Sequence, residues 1–140
     1  MSQLIDKLKD DHKKLVEILT AVKTMGPTAE GFKKLQETKT ALLAHLGVED
    51  AQLYPKLRNA GKTDPKLQGT LDMFAKDMEK LAGFAMGFFE KYSGTGPKGA
   101  EFGKDFGKLC AELSNRIGRE ERILYAEFER LENATEKKSA

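Results

Sequence analysis

Two histidines and two glutamates stand at spacings that a helix turns into one face. His45 and Glu49 are four residues apart, about one helical turn, and share that face with Leu35, Leu42 and Leu53. An apolar stripe points inward, so this pair is carried into the core, where a polar group left unpaired is costly. The stretch has an echo in Arg116-Ile117-Gly118-Arg119-Glu120-Glu121-Arg122-Ile123-Leu124-Tyr125. Gly47, Glu49, Leu53 and Tyr54 recur there as Gly118, Glu120, Leu124 and Tyr125, but His45 becomes Arg116. A second, weaker echo pairs Asp11-His12-Lys13-Lys14-Leu15 with Asp77-Met78-Glu79-Lys80-Leu81. Imidazoles and carboxylates converging in a core can ligate a metal or hydrogen-bond one another. Arg116, always protonated, cannot ligate, and the Met78 thioether is a poor partner for a metal held among carboxylates.

The elements that must position these residues are helices. A first helix is expected over 2–25, capped by Ser2, with a stripe of Leu4, Leu8, Leu15, Ile18, Leu19 and Val22 that includes His12. Gly26-Pro27 ends it and Thr28 caps the second. The second carries Phe32, Leu35, Leu42, His45, Leu46, Glu49 and Leu53 inward, and Pro55 is expected to end or kink it, leaving 56–63 as a connection. Asp64-Pro65 opens a third helix, as cap and first helical residue, whose stripe runs from Leu67 to Tyr92 through Met78. Ser93-Gly94-Thr95-Gly96-Pro97 reads as a breaker. The fourth helix runs from about Gly99 to Glu132 and carries Arg116 and Glu120 among Phe102, Phe106, Leu109, Leu113, Leu124 and Phe128. Residues 1–132 then form one domain, and 133–140 a polar, frayed tail. No segment alternates with a strand's period. The expected fold is all-α, an antiparallel up-down-up-down four-helix bundle of two similar hairpins. In it His12, His45, Glu49, Met78, Arg116 and Glu120 should meet at one depth.

Composition narrows the partners. The chain has 140 residues, 33% charged and 39% hydrophobic, with a net charge of +2 and both signs interspersed. No basic arm argues for nucleic acid. No apolar run approaches the roughly 20 residues that span a bilayer, and the first turns carry charges where a signal peptide has its apolar core. The single cysteine, Cys110, allows no internal disulfide, so a cytoplasmic protein is expected.

His12, then His45 with Glu49 four residues on and Leu53-Tyr54-Pro55 after it, resembles the hemerythrin-like (His-His-Glu) domain family. The resemblance covers nearly the whole chain. It implies two hairpins, each giving a histidine from its first helix and a His-x-x-x-Glu from its second, which together hold two carboxylate-bridged irons. Only the first half-motif is complete here. Met78 and Arg116 stand at two of the family's histidine positions, and Glu120 alone remains in the second half. A conventional diiron centre that binds oxygen reversibly is therefore not expected.

Two main readings stay open. One is a single metal, iron before zinc or manganese, held by His12, His45, Glu49 and Glu120, with room for a small diatomic ligand. The resemblance then implies non-enzymatic binding or sensing of oxygen, nitric oxide or iron. The other is a metal-free regulatory or protein-interaction module, in which Arg116 replaces the metal charge between Glu49 and Glu120. Narrower alternatives are a His12–Met78 haem and an intact diiron site with an unexpected ligand. Tyr54 and Tyr125 are placed to hydrogen-bond the site carboxylates from outside the ligand set. Gly47 and Gly118, costing roughly 0.5–1 kcal/mol each in mid-helix, suggest close helix approach or room for a ligand. The small-residue face of Gly83 and Gly87 reads by default as tight packing, and Cys110 as a buried filler.

Overall fold

The computed structural model describes residues 3–26, 28–92 and 99–139, with side chains of the last segment described over 101–134. The expected Ser2 cap and the 93–97 breaker lie outside these residues. Every described element is helical and none is a strand. Helix α1 is Gln3–Met25. It stops at Gly26, whose positive φ of 63° is the left-handed turn that glycine makes without a Cβ clash. Helix α2 covers 29–61 and opens as expected on Thr28, whose hydroxyl accepts from the Gly31 amide at 3.0 Å. Helix α3 is Pro65–Lys91, capped by the Asp64 carboxylate accepting from the Leu67 amide at 3.2 Å. Helix α4 covers 99–139.

Helices α2 and α4 are not uniform. Each widens into one π-helical turn, Glu49–Leu53 in α2 and Glu120–Leu124 in α4, then resumes α geometry from Tyr54 and from Tyr125. This corrects the expectation at Pro55. The helix reads through it to Gly61, so most of 56–63 is helix and not connection. Pro55 falls directly after the widened turn, at the start of the next α segment, where its missing N–H is tolerated. The helical backbone also continues past Glu132 to Ser139 instead of fraying. That stretch, Asn133-Ala134-Thr135-Glu136-Lys137-Lys138, holds several good helix formers and no breaker.

Helix α1 packs on α2 as one hairpin and α3 on α4 as the other, and the four helices form an antiparallel bundle. The core lies in two apolar halves. One holds Leu15, Leu19, Leu35, Leu42, Leu81, Phe88, Phe106 and Leu113 among others. The second holds Ile5, Leu8, Leu53, Leu57, Leu71, Phe74, Leu124 and Phe128. Each helix passes from one half to the other, and at the crossing it carries His12, His45 with Glu49, Met78, or Arg116 with Glu120. Gly47, Gly83, Gly87 and Gly118 play no part in close approach. A Cβ on Gly47, Gly83 or Gly87 would meet nothing within 4 Å, and one on Gly118 only the Arg122 side chain. The expected tight packing there is corrected by this open space.

Candidate metal centre

Between the two apolar halves the buried polar side chains converge. One ligand atom each from His12, His45, Glu49 and Glu120 lies within 4.8 Å of all the others, and all four residues are buried. The His12 and His45 rings are 4.6 Å apart, centroid to centroid. His12 Nε2 is 3.1 Å from Glu120 Oε1, and His45 Nε2 is 3.4 Å from Glu49 Oε2.

The π turns explain how the inner face is filled. In a regular α-helix, residues five apart point about 140° away from each other. The extra residue of a π turn lets a glutamate and the tyrosine five residues later face the same centre. Leu53 and Tyr54 are accordingly both buried, as are Leu124 and Tyr125. Tyr125 donates its hydroxyl to Glu49 Oε2 at 2.7 Å, and the tyrosine oxygen itself is 3.2 Å from His12 Nε2 and 3.4 Å from His45 Nε2. This tyrosine sits at the middle of the cluster rather than behind it. Burial, with Glu120 and Glu49 beside it, pushes its pKa up, so it stays a neutral phenol that donates.

The second half is closed by arginine. Arg116 donates to Glu120 Oε2 at 3.1 Å, to the Phe74 carbonyl at 2.9 Å and to the Tyr54 hydroxyl at 2.9 Å. Its guanidinium also lies 4.8 Å from the centre of the Phe74 ring. The expectation that Arg116 would bridge Glu49 and Glu120 is corrected here: its carboxylate partner is Glu120. Tyr54 holds the arginine, while its counterpart Tyr125 holds Glu49. Glu49 is left with one buried oxygen, Oε1, that has no hydrogen-bond partner. Met78 is half-buried and borders a cavity of about 20 Å³ beside the histidines, lined also by Leu42, Leu81 and Leu113. That is room for roughly one water-sized guest.

Electrostatics split the two glutamates. Burial pushes Glu49 up, against the pull of His45. Glu120 is equally buried, but His12, His45 and Arg116 overcome the burial penalty and hold it well below the usual carboxylate range. Burial alone would lower His45, yet its hydrogen bonds to Glu120 and Glu49 raise it to about 10.

Two further carboxylates at the site escaped sequence reasoning. Glu121 Oε2 is 2.9 Å from His12 Nδ1, and Asp11 Oδ2 is 3.3 Å from His45 Nδ1. Their one legible signal was position, each beside a residue already singled out. An open groove between α1 and α4 reaches His12 and Glu121 from solvent.

This geometry permits a test of fit. Donors bound at about 2.1 Å to one ion lie at most ~4.2 Å apart, so the four need close only slightly once the Tyr125 hydroxyl at their middle gives way to the ion. Two neutral-capable imidazoles and two carboxylates are the donor set of Fe(II), Mn(II) or Zn(II). The orphaned Glu49 oxygen is an acceptor that such an ion would satisfy. Arg116 cannot ligate and the Met78 thioether is a poor donor for such an ion, so of the inward residues of the second hairpin only Glu120 offers a ligand. The family model for the hemerythrin HHE cation-binding domain matches residues 3–132, and the chain belongs to that family. No curated protein and no solved structure matches the chain.

Proposed function

We propose that this protein binds one divalent metal ion, iron in preference to zinc or manganese, through His12, His45, Glu49 and Glu120, and that it serves by binding rather than by catalysis. The observation that carries this reading is the buried, unpartnered Oε1 of Glu49 within a convergent set of two imidazoles and two carboxylates. A stably folded core rarely leaves such an atom without a partner. Four protein ligands leave open coordination positions on an ion of this kind, and that is the chemistry it would supply: reversible capture of a small diatomic, oxygen or nitric oxide. The chain's own residues then do the rest. Arg116 supplies a fixed positive charge beside Glu120, Tyr125 offers a hydrogen-bond donor at the centre, and Leu42, Leu81 and Leu113 keep the adjoining cavity apolar. Membership of the family supports a sensing role for oxygen, nitric oxide or iron, and the single cysteine supports a cytoplasmic setting for it. Among the described residues no helix is long and apolar enough to cross a membrane.

A second reading is favoured by one specific observation. Arg116 meets three acceptors and Tyr125 fills the centre, so much of the polar layer is satisfied with no ion at all. On that reading the protein is a metal-free regulatory module that engages another protein. Anaerobic titration with Fe(II), and separately with Zn(II), decides between them. The metal reading expects saturation at one ion per chain and loss of that binding in His45→Ala. Binding that survives His45→Ala would mean the ion is held by other residues, and no binding in the wild type would favour the second reading.

A further inference from the structure

Each histidine of the centre has a carboxylate on the ring nitrogen that faces away from it. His12 Nδ1 meets Glu121 Oε2 at 2.9 Å, and His45 Nδ1 meets Asp11 Oδ2 at 3.3 Å. Both partners stand at the rim, their side chains 35% and 20% exposed against 3% and 5% for the rings they hold, so they link solvent to the buried cluster. An ionised carboxylate only accepts, so each Nδ1 must carry the hydrogen. That leaves Nε2 as the nitrogen free to ligate, and both Nε2 atoms point at the shared centre. The assignment is crossed between helices. Asp11 neighbours His12 in α1 but holds His45 of α2, while Glu121 neighbours Glu120 in α4 but holds His12 of α1.

We infer that Asp11 and Glu121 are positioning residues, which fix the Nδ1–H tautomer and the ring orientation of His45 and His12 for metal ligation through Nε2. This rests on the single-metal reading above. The second hairpin provides an independent contrast. Asp77 is the counterpart of Asp11 in the repeat, but no histidine remains for it to hold. It instead accepts from Arg119 at 3.0 Å. The carboxylate contact to an imidazole is thus found in both places where a histidine survives, and Asp77 is diverted to a half-buried ion pair. Outer carboxylates of this kind raise ligand basicity and lock ring geometry.

The test uses Zn(II), which is diamagnetic, in competition with a chromophoric chelator, on the full chain. Glu121→Ala and Asp11→Ala are each expected to weaken Zn(II) binding by roughly 10- to 100-fold. Glu121→Gln, which restores an acceptor, should recover part of that loss, and Asp77→Ala should stay within about twofold of wild type. Long-range proton–nitrogen NMR of the zinc-loaded protein supplies a readout that general destabilisation would not move. Wild type should show two slowly exchanging ring Nδ1–H signals, with Glu121→Ala losing that of His12 alone and Asp11→Ala that of His45 alone. Tight zinc binding by wild type and both alanine variants alike would overturn the positioning role and leave the metal reading standing. Weakened binding without the selective loss of signals would also overturn it, as a merely structural effect. Absence of zinc binding in wild type would overturn the metal reading, and this inference with it.

Discussion

Arg116 and His45 occupy matching places in the two halves, and the physical difference between them organises the site. Arg116 is a permanent cation whose removal would strip Glu120 of a direct ion pair in a dry interior. Arg116→Ala should therefore cost about 3–5 kcal/mol, read as a fall in the midpoint of denaturant unfolding; an unchanged midpoint would show the network to be dispensable. His45 is a cation only while it keeps its proton. Its folded value of about 10 lies above the ordinary 6.5, so in metal-free protein its pairing contributes fully below pH 6.5 and is lost as pH rises through about 10. The thermal midpoint of chelator-treated protein, measured against His45→Gln, should fall across that window. An incoming ion displaces the same proton, so metal affinity should rise over the same range. A pH-independent affinity would contradict the His45 assignment. At this scale the four candidate ligands and Arg116 were legible, because residue type and helical spacing alone place them on inward faces. Asp11 and Glu121 were not, since a carboxylate one position off the stripe looks the same whether it faces water or a neighbouring helix's histidine.

The helices themselves follow from short-range signals where those signals are strong. Thr28 and Asp64-Pro65 start α2 and α3 as their chemistry requires, and Gly26 ends α1 through its positive φ. The π turns had no such signal. A period of 3.6 assigns Leu53 to the inner face and Tyr54 to the side, whereas the widened turn buries both. Pro55 seemed the natural place for a break, yet its counterpart in α4 is Ala126, and α4 widens in the same way without a proline. The π turn therefore answers to the inner face, which needs both Glu49 and Tyr54 inward, and not to proline. Pro55→Ala should leave helix content and metal stoichiometry unchanged by circular dichroism and elemental analysis. Deleting Gln52 leaves Glu49 and Tyr54 four apart, a spacing that α geometry itself keeps on one face, so the turn should close to α while Tyr54, the segment after it and metal binding are retained. A deletion variant that keeps its helix content but loses the metal would sink this account of the π turn as an accommodated extra residue.

Across the whole molecule the polar layer lies between two apolar halves, and the bundle is a repeat whose two hairpins differ in their chemistry at that layer. The first hairpin carries three of the four candidate ligands, and the second supplies Glu120 beside an organic cation and a thioether. The bundle was legible from four stripes and three breakers, because amphipathic helices of this length with short turns have few other ways to bury their faces. What the stripes did not reveal was which carboxylate Arg116 would choose, a matter of side-chain reach across the core. The divergence is reversible in principle. Met78→His with Arg116→His should raise metal stoichiometry from one ion per chain to two, by elemental analysis; stoichiometry that stays at one would mean the two halves are not aligned as the repeat implies. The central claim is a single ion in a half-retained site, and its most direct test is the iron content of wild-type protein after anaerobic Fe(II) loading and removal of excess. One iron per chain, absent from His45→Ala, is the result this account predicts. No iron, or two irons per chain in the wild type, would contradict it.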